Sequence, residues 1–118
     1  MKVVLLDTSF LLMAVRYRID IQEGVQKLLD ERFSLAIVDK TLKELEGKKL
    51  GRVTQEILER MKVGVIATTE AMNVDNLLLS RADAGTIVAT QDKRLKERLK
   101  KRKIPVIGIR QKSVIRFA

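Results

Sequence analysis

Two kinds of apolar pattern alternate along this chain. In the first, apolar residues follow one another directly, the mark of a strand buried on both faces. Such runs fall at residues 2–6, 34–38, 63–67, 86–90 and 105–109. In the second, apolar residues recur every three or four positions, which predicts helices with one buried stripe. This spacing covers 10–15, 22–32 (Val25, Leu28, Leu29), 41–46, 52–61 (Val53, Ile57, Leu58, Met61), 73–83 (Leu77, Leu78, Ala82) and 92–102 (Leu95, Leu99). Asp7-Thr8-Ser9 offers caps for the first helix. Gly47 weakens the end of the 41–46 helix, Gly51 marks a break, and Ala84-Gly85 turns the chain. The tail allows one more extended piece at 114–117.

Strands that alternate with helices, and are themselves mostly apolar, predict an α/β domain. Its sheet would be parallel and covered on both faces. The 118 residues contain no internal repeat, low-complexity segment or linker, so one domain over 1–118 is expected.

Composition narrows the chemistry. There is no cysteine and no histidine. A disulfide scaffold, a thiolate metal site, a thiol nucleophile and a Ser-His-Asp triad are therefore excluded. No apolar run reaches the length of about 18 residues that a membrane span needs, and residues 3–6 are too short for a signal-peptide core. A cytoplasmic protein with no membrane partner is expected. The net charge is +9, and its placement matters more than its size. Residues 93–118 hold eleven Lys and Arg against Glu97 alone, a net of +10, whereas residues 1–92 hold thirteen basic and fourteen acidic side chains, a net of −1. A basic face of this kind suits a polyanion such as nucleic acid, or serves only as a solvated surface.

In open α/β sheets ligands bind beyond the carboxyl ends of the strands. The first strand is followed by Asp7, and the fourth by Thr90-Gln91-Asp92. No glycine-rich phosphate loop follows either, so dinucleotide and P-loop readings are weak. Glu44 in the 41–46 helix and Asp75 at the start of the 73–83 helix are expected on the same sheet edge. Four carboxylates at one place cannot all stay ionised without a cation. Oxygen ligands suit Mg²⁺ or Mn²⁺, and such ions activate water and stabilise phosphoryl oxygens.

Each residue has a plainer reading. Asp7, Asp75 and Asp92 can be helix caps. Glu44 can be a solvated helix residue, with Glu46 equally eligible. Asp39 and Asp83 read as surface residues. Thr8, Ser9 and Thr90 either cap helices or orient the carboxylates by hydrogen bonds. Lys93, Arg94, Lys96, Arg98, Lys100, Lys101, Arg102 and Lys103 either grip RNA, helped by Arg110, Lys112 and Arg116, or lie solvated around their helix.

Taken together, Leu5-Leu6-Asp7-Thr8-Ser9-Phe10, Leu42-Lys43-Glu44-Leu45-Glu46, Val74-Asp75-Asn76-Leu77-Leu78 and Ile87-Val88-Ala89-Thr90-Gln91-Asp92 resemble the PIN-domain nucleases over nearly the whole chain. The resemblance implies a three-layer α/β/α domain with a five-stranded parallel sheet in the order 3-2-1-4-5. It also implies Mg²⁺ or Mn²⁺ held by Asp7, Glu44, Asp75 and Asp92, supported by Thr8, Ser9 and Thr90, and metal-dependent cleavage of RNA. The 86–109 stretch looks most like the branch that processes small-subunit ribosomal RNA and its archaeal relatives. VapC-type toxins share the acidic positions. Gln91, Asn76 and Arg94 depart from the family pattern.

Two functional readings follow, and a third is weaker. One is an RNA endonuclease, either with a ribosome-assembly partner or as a toxin with an antitoxin and a homodimeric form. Another is a non-catalytic RNA-binding or assembly protein on the same fold. A phosphoacceptor receiver domain fits poorly, because strand one is followed by a single acid and strand three by Thr68-Thr69. With three Phe, one Tyr and no Trp, base stacking can supply little affinity.

Overall fold

β1 (Lys2–Leu6) lies at the centre of the sheet, and its side chains alternate between two separate cores. Val4 and Leu6 point to one face and Leu5 to the other, and all three are excluded from water. That alternation is why the strand reads as an unbroken apolar run. The computed structural model describes all 118 residues.

The remaining elements are α1 (Thr8–Arg16), α2 (Ile21–Leu28), β2 (Phe33–Val38), α3 (Asp39–Leu45), α4 (Gly51–Arg60), β3 (Gly64–Ile66), α5 (Val74–Arg81), β4 (Thr86–Ala89), α6 (Lys93–Lys101), β5 (Val106–Arg110) and β6 (Val114–Phe117). The sheet order is β3-β2-β1-β4-β5-β6. The first five strands are parallel, as the sequence and the family resemblance led us to expect. The sheet has six strands rather than five, because the 114–117 tail pairs antiparallel with β5.

α1 to α4 cover one face, where Phe10, Leu11, Ala14, Val25, Leu45 and Leu58 pack against β1, β2 and β4. α5 and α6 cover the other, with Leu77, Leu78, Leu95 and Leu99 as their buried stripe. The result is a three-layer α/β/α sandwich. The order reverses between β1 and β4, and both strands end on the same edge, which opens a crevice there.

Several expected boundaries shift. The 22–32 helix ends at Leu28, because Leu29 leaves the helix in an extended conformation and turns its side chain into the core. The expected 63–67 strand shrinks to three residues at the sheet edge, where Val65 is 53% exposed. α3 begins at Asp39 rather than Thr41. Gly51 is not a break but the first residue of α4, and a Cβ there would stand 1.9 Å from the Leu45 carbonyl oxygen. Only glycine lets α4 start so close to the end of α3.

Candidate active site

Asp7 is the residue at which β1 becomes α1. Its extended backbone (φ −84°, ψ 152°) ends the strand and caps the helix, and one carboxylate oxygen, Oδ1, accepts the Thr8 N–H at 2.9 Å. The other oxygen, Oδ2, accepts from two hydroxyls, Thr90 at 2.6 Å and Ser9 at 3.0 Å. The side chain is almost wholly excluded from water. Burial pushes its carboxyl above the usual range, the Thr90 and Ser9 hydroxyls and the Thr8 amide pull it back, and the charge on Glu44 adds to the rise. Thr8 and Ser9, which the sequence left as either caps or supports, both act on carboxylates. Ser9 donates to Asp7, and the Thr8 hydroxyl donates to Glu44 at 2.5 Å.

Asp92 arrives from β4 through a three-residue turn. The Thr90 hydroxyl accepts the Asp92 N–H at 3.0 Å, and the Ser9 hydroxyl accepts the Gln91 N–H at 3.1 Å. Gln91, one of the departures from the family pattern, extends the sheet. Its side chain accepts the Ile109 N–H at 2.6 Å and donates to the Ile109 carbonyl at 3.2 Å. A Cβ on Gly108 would press on Gln91 Oε1 at 3.0 Å, so the glycine makes room for this bridge. Asp92 also caps α6, accepting the Leu95 N–H at 2.9 Å through Oδ1.

Asp75 is not the cap of its helix. Asn73 does that work, accepting the Asn76 N–H at 3.0 Å. Asp75 stands one residue inside the first turn of α5 and is half-buried. Its carboxyl is raised first by burial and then by the charges of Asp7, Asp92 and Glu44, with Arg98 opposing. All three other predicted acids thus act on Asp75. Glu44 reaches the cleft from the second turn of α3, on the exposed side. Glu46 is exposed at the end of the same helix, and only Glu44 is bonded to Thr8.

Two elements that the sequence reading passed over hold this edge together. Asp39, expected on the surface, accepts the Thr68 hydroxyl at 2.5 Å, the Thr68 N–H at 3.0 Å and the Lys40 N–H at 2.9 Å. Those bonds, led by the Thr68 hydroxyl, hold its carboxyl below the usual range. The signal was available, since Asp39 follows β2 directly as Asp7 follows β1. Lys40 donates its ammonium to the carbonyls of Glu70 and Met72, and Arg81 grips Glu70 in a two-pronged pair at 2.6 and 3.1 Å. Arg81 holds the Glu70 carboxyl down to about 2. The 67–73 connection, which delivers Asp75, is therefore pinned at both ends. Asp83 does sit on the surface, where it organises the turn into β4 through Gly85 and Thr86.

The donor set suits a hard divalent cation: four carboxylates and their supporting hydroxyls, with a mutual repulsion that a cation would relieve. No three Asp or Glu side chains stand close enough to form a ready-made cage. The site is thus an open acidic cleft. On its rim lie Lys40 and Lys43 beside Glu44, and Arg98 beside Asp75.

The sheet order and this cleft define an α/β/α domain with acids gathered at its topological switch point. The profile of the family described as "PIN like domain" matches residues 4–112, and the chain belongs to that family. It is 31% identical over 117 residues to "Ribonuclease VapC4" of Methanocaldococcus jannaschii, covering 90% of this chain and 88% of that protein. Among solved structures it is similar to the "PIN domain endonuclease Utp24", with a TM-score of 0.86 and 27% identity, over 98% of this chain and 90% of the other.

Proposed function

We propose that this protein is a divalent-metal-dependent endoribonuclease whose working groups are Asp7, Glu44, Asp75 and Asp92. The observation that carries the reading is the edge of the sheet at the switch point, where Thr90 holds Asp7 through its hydroxyl and Asp92 through its backbone N–H, and Thr8 holds Glu44. Membership of the PIN-like family and the likeness to a ribonuclease and an endonuclease support it. In this reading the four carboxylates hold Mg²⁺ or Mn²⁺, and the ion supplies positive charge against the phosphodiester oxygens. The Thr90 and Ser9 hydroxyls pull the Asp7 carboxyl back toward its ionised form and aim it, and the Thr8 hydroxyl orients Glu44. Hydrolysis adds a water oxygen to phosphorus and breaks one P–O bond to ribose. The two protons of water are shared between the released ribose oxygen and the medium.

The finer role has two supports. The 86–109 stretch favours ribosomal RNA processing with an assembly partner. The VapC4 likeness favours a toxin, with an antitoxin and a homodimer. The open spacing of the acids favours one other reading, a non-catalytic RNA-binding or assembly protein. Labelled structured RNA incubated with Mn²⁺, Mg²⁺ or chelator, beside an Asp92→Asn variant, separates these readings. Metal-dependent cleavage by the wild type alone is the expected result. Salt-sensitive RNA binding by both proteins, without cleavage by either, would replace the nuclease with the binding role.

A further inference from the structure

The eight cations of residues 93–103 do not form one undifferentiated cloud. Leu95 and Leu99 are buried, and this fixes the rotation of α6 on the sheet. Helical spacing then sorts the charges into two rows. Arg94, Arg98, Lys101 and Arg102 stand at i, i+4, i+7 and i+8. Lys93, Lys96 and Lys100 stand at i, i+3 and i+7, and Lys103 follows past the helix end, where the backbone turns left-handed. Every arginine of the segment is in the first row, and the second row is lysine alone.

The structure gives the first row a place to work. Arg98, Lys101 and Arg102 line a cleft of about 530 Å³ whose opposite wall is Met72, Asn76, Leu79 and Ser80, from α5 and the residues before it. Two of its guanidinium groups are held in position by neutral partners. Arg98 donates to Asn76 Oδ1 at 2.9 Å, and Arg102 donates to the Leu79 carbonyl at 2.8 Å. Neither is neutralised. The ion pairs of the molecule are Lys27–Glu23 and Arg81–Glu70, and neither involves α6. One end of the cleft adjoins the acids, because Asn76, the residue that holds Arg98, directly follows Asp75 in α5. An oriented arginine presents a planar fork of donors that matches phosphate geometry, which a mobile lysine does not.

We infer that the α5–α6 cleft is the track for the RNA backbone leaving the acidic site, with Arg98, Lys101 and Arg102 contacting successive phosphates and the lysine row outside the contact. From Arg94 to Arg102 the row runs about 12 Å along the helix axis, enough for a short single-stranded segment. Ser80 and Asn76 add neutral polar groups to the wall, and the cleft holds no aromatic side chain, so the track reads backbone rather than base. This assignment rests on the nuclease reading for what the acidic end does, but its test does not require cleavage.

Binding of labelled single-stranded RNA is measured in chelator from about 50 to 200 mM salt. Three proteins that differ in where charge is removed are compared: wild type, Arg98→Gln/Lys101→Gln/Arg102→Gln, and Lys96→Gln/Lys100→Gln/Lys103→Gln. Both triple variants lose the same charge. For single strands each phosphate contact contributes about 0.7 to the slope of log affinity against log salt. The arginine-row variant is expected to lose about 2 from that slope, and the lysine-row variant little. Ser80→Glu keeps the Arg98 and Arg102 tethers, gives up only the Ser80 hydroxyl's bond to the Leu77 carbonyl, places an anion in the cleft, and is expected to weaken binding with the fold intact, as circular dichroism would check. Equal losses in both triple variants, or a loss confined to the lysine row, would overturn the track. Wild-type protein that binds no RNA would instead overturn the ribonuclease reading itself.

Discussion

Thr90 donates its hydroxyl to Asp7 at 2.6 Å while the same oxygen accepts the Asp92 backbone N–H at 3.0 Å. One threonine at the end of β4 thus sets the position of two acids that are 85 residues apart in sequence. Asp7 is buried beside β4 and would drift further toward its neutral form without that donor.

Thr90→Val keeps the shape and removes the bond. Loss of an orienting partner of this kind typically costs about 10- to 100-fold in activity. The sign of the pH effect is fixed as well. With one stabilising donor gone, the Asp7 carboxyl rises further, so the acidic limb of the cleavage profile moves to higher pH. Pre-steady-state rates across pH would show it. A uniform drop with the limb in place would mean that Thr90 acts only through the fold.

Asp7 also links stability to function. Its carboxyl is raised in the folded state, so above about pH 4 the folded chain binds more protons than the unfolded one. Stability contributed at this residue therefore falls as pH rises through the shifted value and stays low above it. Asp7→Asn removes the buried charge. In chelator it is expected to melt above wild type at pH 7, with the gap closing toward pH 4. Added Mn²⁺ should raise the melting temperature of wild type by mass action and leave the variant unmoved. A variant less stable than wild type at neutral pH would contradict this account.

The strands were the legible part of this fold. β1, β2, β4 and β5 are buried on both faces, and unbroken apolar runs report that directly. β3 was overread, because at an edge an apolar residue such as Val65 no longer has to be covered. Asp7 and Asp92 were legible because they sit at strand ends beside the switch point, whereas the clamp made by Asp39 and Lys40 depends on a partner 29 or more residues away. Helix ends were the least legible. Three helices finish in the same way: Ile19, Val63 and Ile104 send their N–H groups back to Ala14, Leu58 and Leu99. The residues that turn left-handed there are Arg18, Lys62 and Lys103, not glycine, so the usual sequence signal for a stop is missing.

That substitution predicts a gain. A left-handed conformation costs an ordinary residue about 1–2 kcal/mol, part of which glycine would give back in a more disordered unfolded chain. Lys62→Gly, on an exposed turn at φ 54°, is expected to stabilise the fold by roughly 0.5–1 kcal/mol. Urea unfolding would measure it, and RNA cleavage should be unaltered. No change in midpoint would show the strain at this turn to be already relaxed.

Thr41 offers a second stabilising change. It is fully buried on the inner face of α3, and its hydroxyl has no hydrogen-bond partner. Thr41→Val replaces that hydroxyl with a methyl group of similar size. Removing an unsatisfied buried polar group should stabilise by about 1–3 kcal/mol, read as a shift in the unfolding midpoint at constant slope. Destabilisation would mean the hydroxyl has a partner in solution, a buried water for instance.

Lys40 tests whether the 67–73 connection matters to the site or only to the fold. This connection carries no regular structure and depends for its course on Lys40, on the Asp39–Thr68 bonds and on the Glu70–Arg81 pair. Lys40 is the clamp nearest the end of the segment, holding the carbonyls of Glu70 and Met72 just before the Asn73 cap. Lys40→Met preserves the aliphatic stem and frees two carbonyls that water can reach, so the cost in stability should be about 0.5–1.5 kcal/mol. The effect on chemistry should be larger. Displacing a reacting group by about 1 Å can lower a rate by as much as 100-fold, and Asp75 follows wherever this segment moves. A fall in kcat of at least about 10-fold is expected, with RNA affinity in chelator nearly unchanged and partial recovery in Lys40→Arg. Because Lys40 also lines the rim beside Glu44, affinity is the control that matters. If affinity falls while kcat holds, Lys40 touches the RNA and does not position Asp75.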